Sequence, residues 1–188
     1  MSQPSRREFL LQATLTLAEA GVALHRPRRA LAAPSTDQPL YAFPVLGDIH
    51  YDLMAHHDMD WVQREKPHDV RQIEGYVDAS TRFTPRFLRS VAAMMREQKA
   101  PVPFVVQVGD FVEGLCGSFD LQAKQFEDAI GVVDDVGFGV PFLITKGNHD
   151  ITGPGAPEAY DRVLLPWLGK QQDRGLDQAS YIVKHDED

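Results

Sequence analysis

Three short stretches of the 188-residue chain place acidic, amide and imidazole side chains directly after a glycine. They are Gly47-Asp48-Ile49-His50, Gly109-Asp110-Phe111-Val112-Glu113-Gly114 and Gly147-Asn148-His149-Asp150. A plain turn uses glycine and one Asn or Asp, but has no need of histidine. Hard or borderline divalent ions take carboxylate, amide oxygen and imidazole together. Asp48 and His50 stand two apart, so on an extended backbone they point to one side and grip one ion. Asp110, with two oxygens, suits a bridge between two ions, and Asn148 adds a neutral oxygen ligand. His149 is then left as a proton donor oriented by Asp150. Two ions about 3.5–4 Å apart would polarise a phosphoryl group and turn a water into hydroxide at neutral pH. Each stretch alone reads as a turn or a surface pair; the ordered set carries the chemistry.

The elements needed to position these residues are legible around them. Leu40–Leu46 and Phe104–Val108 are apolar runs that end at a glycine, and Val140–Thr145 is a third, with Lys146 between it and Gly147. Such runs, separated by helices, predict a mostly parallel sheet covered on both faces. Ligands of such sheets bind beyond the carboxyl ends of the strands. Thr84-Pro85 predicts a helix start, with Phe87, Leu88, Val91, Met94 and Met95 at helical spacing. A second helix is expected after Ser118 or Asp120, with Phe126, Ala129, Ile130 and Val133 on one face and Gly137 past its end. A third is expected from Pro157 to Leu168, then a last strand from Ser180 to Lys184. Residues 51–82 are polar, with no clean period, and read as an irregular insertion. His56, His57, Asp58 and Asp60 within it form either a separate metal cluster or, preferably, a solvated insertion beside the site. Arg82, Arg86 and Arg89 read as a solvated helix face.

Composition narrows the function classes. Hydrophobic residues make up 43% and charged residues 24%, as in an ordinary globular protein. A net charge of −8 argues against nucleic acid, which requires a basic face. The single cysteine, Cys116, reads as a small buried hydrophobe. No GxGxxG or GxxxxGK[ST] stands at a strand–helix junction, which sets a nucleotide-binding reading aside.

The N-terminus differs from the rest. Arg6 and Arg7 precede a weakly apolar run, Phe9 to Leu24, and Ala30-Leu31-Ala32 offers a small-residue cleavage site. The run spans 16 residues and contains Gln12 and Glu19, so no stable membrane span is expected. Ser5-Arg6-Arg7-Glu8-Phe9-Leu10 resembles a twin-arginine export signal, and Arg26, Arg28 and Arg29 favour that route. The alternative is an amphipathic helix of the mature domain. Residues 1–33 are thus expected to be a signal peptide that engages the twin-arginine export machinery, with a periplasmic or secreted bacterial product. The remainder, 34–188, holds 14 basic and 25 acidic residues, a net charge near −11.

The motifs GDIH (47–50), GDFVEG (109–114) and GNHD (147–150), in this order over about residues 41–188, resemble the calcineurin-like metallophosphoesterases. The resemblance implies an α/β sandwich, with residues 34–188 as the N-terminal portion of the domain. It implies a dinuclear centre of two divalent ions (Mn, Zn or Fe) acting on a small phosphorylated substrate, a phosphomonoester or phosphodiester. Asp48 and His50 would bind the first ion, Asp110 would bridge, Asn148 would bind the second, and His149 with Asp150 would supply the acid. Glu113 stands where the purple acid phosphatases carry an iron-binding Tyr, so a purple chromophore is not expected. The family completes its site with further histidines, including a GHxH-like pair, and the chain ends at Asp188 without one. The expectation is therefore a partial sandwich with its second half missing and its activity impaired. Rival readings are a catalytically inactive exported fragment and a single-metal binding protein. His185, in SYIVKHDED, reads as a surface residue.

Overall fold

A computed structural model describes residues 40–178 and 180–182. The expected signal peptide (1–33), the linker and His185 lie outside the described residues. The architecture is α/β, a small parallel sheet flanked by helices. Strands β1 (Val45–Leu46), β2 (Val105–Gln107) and β3 (Phe142–Ile144) lie side by side in that order. Val45 pairs with Val106 and Leu46 with Gln107; Val105, Val106 and Gln107 pair with Phe142, Leu143 and Ile144.

All three strands are shorter than the apolar runs that announce them. Pro44 and Pro141 stand immediately before β1 and β3, and Pro103 two residues before β2; none has an N–H to give a ladder. At the far ends the backbone turns left-handed at Asp48 (φ 42°), Gly109 (φ 99°) and Asp110 (φ 52°), which no extended strand can follow. The core side chains nevertheless sit where the sequence places them. Leu46, Val105, Phe142 and Ile144 are buried with Phe111, Phe126 and Leu168 in one cluster.

Residues 51–82 are not irregular. A 3₁₀ turn (Met54–His56) leads to α1 (Met59–Glu65) and α2 (Val70–Arg82). Asp58 caps α1, its carboxylate accepting the Trp61 N–H at 3.0 Å. Val62 from α1, Ile73 from α2 and Leu115 form a satellite core that pins the insertion to the segment after β2. Complete burial of one such side chain is worth about 1.5–3 kcal/mol. Val70, Ile73 and Val77 of α2 recur at helical spacing and pack on this satellite core, a period hidden among the polar residues around it.

Helix α3 (Thr84–Arg96) follows α2 after Phe83 alone. Thr84, expected as its cap, is its first residue and is buried. Leu88, Val91 and Met95 face the core as expected, whereas Phe87 and Met94 are about half exposed (49% and 51%). Helix α4 (Phe119–Val136) matches its expectation: Ser118 Oγ accepts the Leu121 N–H, and Gly137 closes the helix at φ 62°. The helix expected over 157–168 is interrupted. It runs as α5 (Ala156–Ala159), a π turn (Tyr160–Leu164) and α6 (Leu165–Gln171). Pro166 cannot donate to the Arg162 carbonyl, and the Leu165 N–H reaches back to Tyr160 instead. Residues 180–182 are not in a strand, and the rest of the expected last strand lies outside the described residues. No helix among the described residues is long and apolar enough to cross a membrane.

Candidate metal centre

Beyond the kinks that end the strands, the chain segments keep running side by side. The His50 N–H donates to the Asp110 carbonyl and the Tyr51 N–H to the Phe111 carbonyl, both at 2.9 Å. This carries the parallel pairing on to Tyr51 and Val112 and sets His50 beside Asp110. Gln107 stabilises the turn between them, its side chain bonding both the N–H and the carbonyl of Gly109. The third segment arrives through glycine. A Cβ on Gly147 would overlap the backbone nitrogen and carboxylate of Asp110. Without that Cβ, the His149 N–H reaches Asp110 Oδ1 at 2.9 Å.

Asp48, His50 and Asp110 can each offer a ligand atom within 4.8 Å of the others. The route to this gathering differs from the expected one. Asp48 (φ 42°) and His50 (φ 43°) are not on extended backbone; both, like Asp110, are in the left-handed region. A non-glycine residue there is strained and persists only where its surroundings over-determine it, commonly at functional sites. Three of the five such residues described belong to this one cluster. Asn148 adjoins it through His149, and its side chain is exposed without a hydrogen bond among the described residues.

Glu113 has a role here that the sequence reading missed. It is fully buried, and its Oε2 stands 2.8 Å from His50 Nδ1. Its Oε1 accepts from Gln72 Nε2 at 3.0 Å, and its backbone carbonyl accepts from His149 Nδ1 at 2.8 Å. Tyr76, one turn after Gln72 on α2, lies flat on the His50 ring with centroids 4.2 Å apart and planes 10° apart. His149 meets the same ring edge-on at 4.6 Å. Burial, the largest influence on His50, pushes its pKa down. The Glu113 hydrogen bond and the charges of Glu113, Asp110 and Asp48 outweigh it, and the pKa is raised.

His50, Glu113 and His149 also bring ligand atoms within 4.8 Å of one another. An ion there would compete with bonds that already engage both carboxylate oxygens of Glu113. The cluster of Asp48, His50 and Asp110 is the open one: Asp48 is exposed, Asp110 is partly so, and both carry ligand oxygens toward His50.

Asp150 does not orient His149. It is fully buried and committed to backbone: Oδ1 accepts the N–H groups of Phe111 (2.8 Å) and Val112 (3.1 Å), and Oδ2 that of Gly147 (2.8 Å). Its carboxylate staples the segment after β2 to the segment after β3. The pKa of Asp150 is raised by burial, partly offset by the three N–H bonds. Glu113, through its carbonyl, fixes the His149 ring instead.

His56 and His57 are neither solvated nor gathered for a metal. Both are buried. His57 Nε2 lies 2.8 Å from both oxygens of buried Asp52, and its Nδ1 donates to the Leu115 carbonyl. Gln125 also donates to Asp52. His56 accepts the Leu53 N–H at Nδ1 and so donates from Nε2 to Asp128. Asp58 is spoken for as a helix cap, and Asp60 is exposed. The insertion is thus tied down by a buried polar network. Cys116 is buried as expected, and burial pushes its thiol well above the usual range, which removes it as a nucleophile.

Compared with known proteins, the chain matches no family model, no curated protein and no solved structure.

Proposed function

We propose that this protein is a metal-dependent hydrolase of a phosphate ester, a phosphomonoester or a phosphodiester, built on part of a metallophosphoesterase-type sandwich. The observation that carries the reading is the convergence of Asp48, His50 and Asp110 on strained left-handed backbone, with ligand atoms within 4.8 Å. Such a donor set, carboxylates with an imidazole, fits Mn, Zn or Fe. Asp48, His50, Asp110 and Asn148 would hold two divalent ions. When bound, these ions would polarise the phosphoryl group and supply hydroxide at neutral pH.

The residues of the chain contribute the rest. The His149 Nδ1 proton is engaged by the Glu113 carbonyl, which only accepts, so proton transfer to a leaving oxygen falls to Nε2 of the ring. Gly109 and Gly147 keep the backbone low where the segments after β2 and β3 crowd together. Residues 1–33 would direct export through the twin-arginine machinery to the periplasm or beyond, on the strength of Ser5-Arg6-Arg7-Glu8-Phe9-Leu10.

The test is metal content by mass spectrometry together with hydrolysis of p-nitrophenyl phosphate and bis(p-nitrophenyl) phosphate. Turnover should vanish on chelation, return with Mn2+, and be lost in Asp110→Asn. In His149→Ala it should fall roughly 10²–10⁴-fold with the metal retained. Undiminished turnover after chelation would sink the proposal. A single-ion binding protein is the second reading, favoured by the overlap of the two candidate ligand groups at His50. One ion per chain and no hydrolysis would select it.

A further inference from the structure

We infer that Glu113 is the positioning residue of this centre, setting the two imidazoles for two different tasks. The inference rests on the reading of Asp48, His50 and Asp110 as the ion-holding face. One residue reaches both rings, and the shorter contact to each uses a different group, while its Oε2 also lies 3.4 Å from His149 Nδ1. Its carboxylate takes His50 Nδ1 at 2.8 Å and its carbonyl takes His149 Nδ1 at 2.8 Å. Both rings therefore keep Nε2 for other partners. In His50, that atom lies 3.9 Å from Asp110 Oδ2, on the side of the open cluster.

Glu113 can do this because it is held from several sides. Its N–H bonds the Tyr51 carbonyl at 3.4 Å, and Gln72 fixes Oε1. The next residue, Gly114 (φ 72°), passes so close to the His149 carbonyl that a Cβ there would overlap it. Gln125 accepts the Gly114 N–H at 3.0 Å. Tyr76 covers the face of the His50 ring and limits its remaining rotation. Helix α2, which carries both Gln72 and Tyr76, thereby belongs to the site. A carboxylate behind a ligating histidine fixes ring orientation and tautomer and raises ligand basicity, typically worth about 10- to 100-fold in metal affinity.

The test uses the full chain with Glu113→Ala and Glu113→Gln, nitrogen NMR of the imidazoles in the metal-free protein at alkaline pH, and Mn2+ titration calorimetry. In the wild type both rings should carry the proton on Nδ1. In Glu113→Ala, His50 should lose that single tautomer while His149, still held by the backbone carbonyl, keeps it and reports an intact site. Mn2+ affinity should fall about 10- to 100-fold in Glu113→Ala and a few-fold in Glu113→Gln, which keeps an acceptor but loses the charge. An unchanged His50 tautomer, or unchanged Mn2+ affinity where the wild type binds, overturns the inference. If the wild type binds no Mn2+ but the tautomer still changes, the metal reading fails and the positioning stands. If Glu113→Ala loses the His149 signal by unfolding, Glu113→Gln decides, and an affinity equal to the wild type overturns the inference.

Discussion

Replacing Asp150 separates a staple from a catalytic orienter. In Asp150→Ala the buried N–H groups of Phe111 and Val112 and the partly buried N–H of Gly147 lose their acceptor together. Each orphaned buried donor costs about 1–3 kcal/mol, so the buried pair alone should cost about 2–6 kcal/mol, with a smaller addition from Gly147. In Asp150→Asn the remaining oxygen still serves Phe111 and Val112, but the new amide confronts the Gly147 N–H with another donor. One charge-assisted bond is lost, worth about 1.5–3 kcal/mol, and two become neutral. We expect about half the Ala effect. Urea unfolding at unchanged m reads both values, and with a chain of this size a 3 kcal/mol loss lowers Tm by roughly 6–12 °C. Because the staple brings His149 and Asp110 together, Mn2+ affinity should fall with stability in both variants. A stability change under 0.5 kcal/mol with turnover abolished would refute this reasoning and restore Asp150 as the partner of His149.

Two further outcomes are expected. Gly147→Ala pushes a Cβ into Asp110, and relieving that overlap must move a carboxylate proposed to hold the ion; Mn2+ affinity measured by calorimetry should drop at least about tenfold, with about 1–3 kcal/mol of destabilisation. His57 gives a pH dependence. Burial, the largest influence, pushes its pKa down, but the hydrogen bond and charge of Asp52, the Leu115 carbonyl and the charge of Glu113 prevail and raise it. A raised histidine contributes stability that is fully present below its unfolded value of about 6.5 and is lost as pH rises through the folded value. Urea midpoints should therefore fall on going alkaline from about pH 6.5, and His57→Gln, which leaves the buried Asp52 charge to the neutral Gln125 amide and should cost up to about 3–5 kcal/mol, should flatten that part of the curve. An identical slope in wild type and variant would contradict the ion pair.

What the sequence determined by itself is what depends on near neighbours. Apolar runs followed within three residues by a glycine and a polar side chain marked where the three strands stop. Ser118 and Gly137 bounded α4 because a cap and a left-handed exit are made within one turn of the residues they serve. Asp48, His50 and Asp110 were legible as a group because parallel strands must deliver their ends to one edge. Partners chosen across the fold were not legible. Glu113 finds His50 across 63 residues and Gln72 across 41, and nothing local distinguishes it from any acid after a strand. Asp150 follows His149 directly, which suggested a pair, yet its carboxylate turns to backbone donors up to 39 residues away. His56 and His57 looked solvated because burial is decided by what packs over a segment, here α4 with Gln125 and Asp128. Periodicity records which way a side chain points from its own element; only the packed tertiary structure decides which donor or acceptor it meets there.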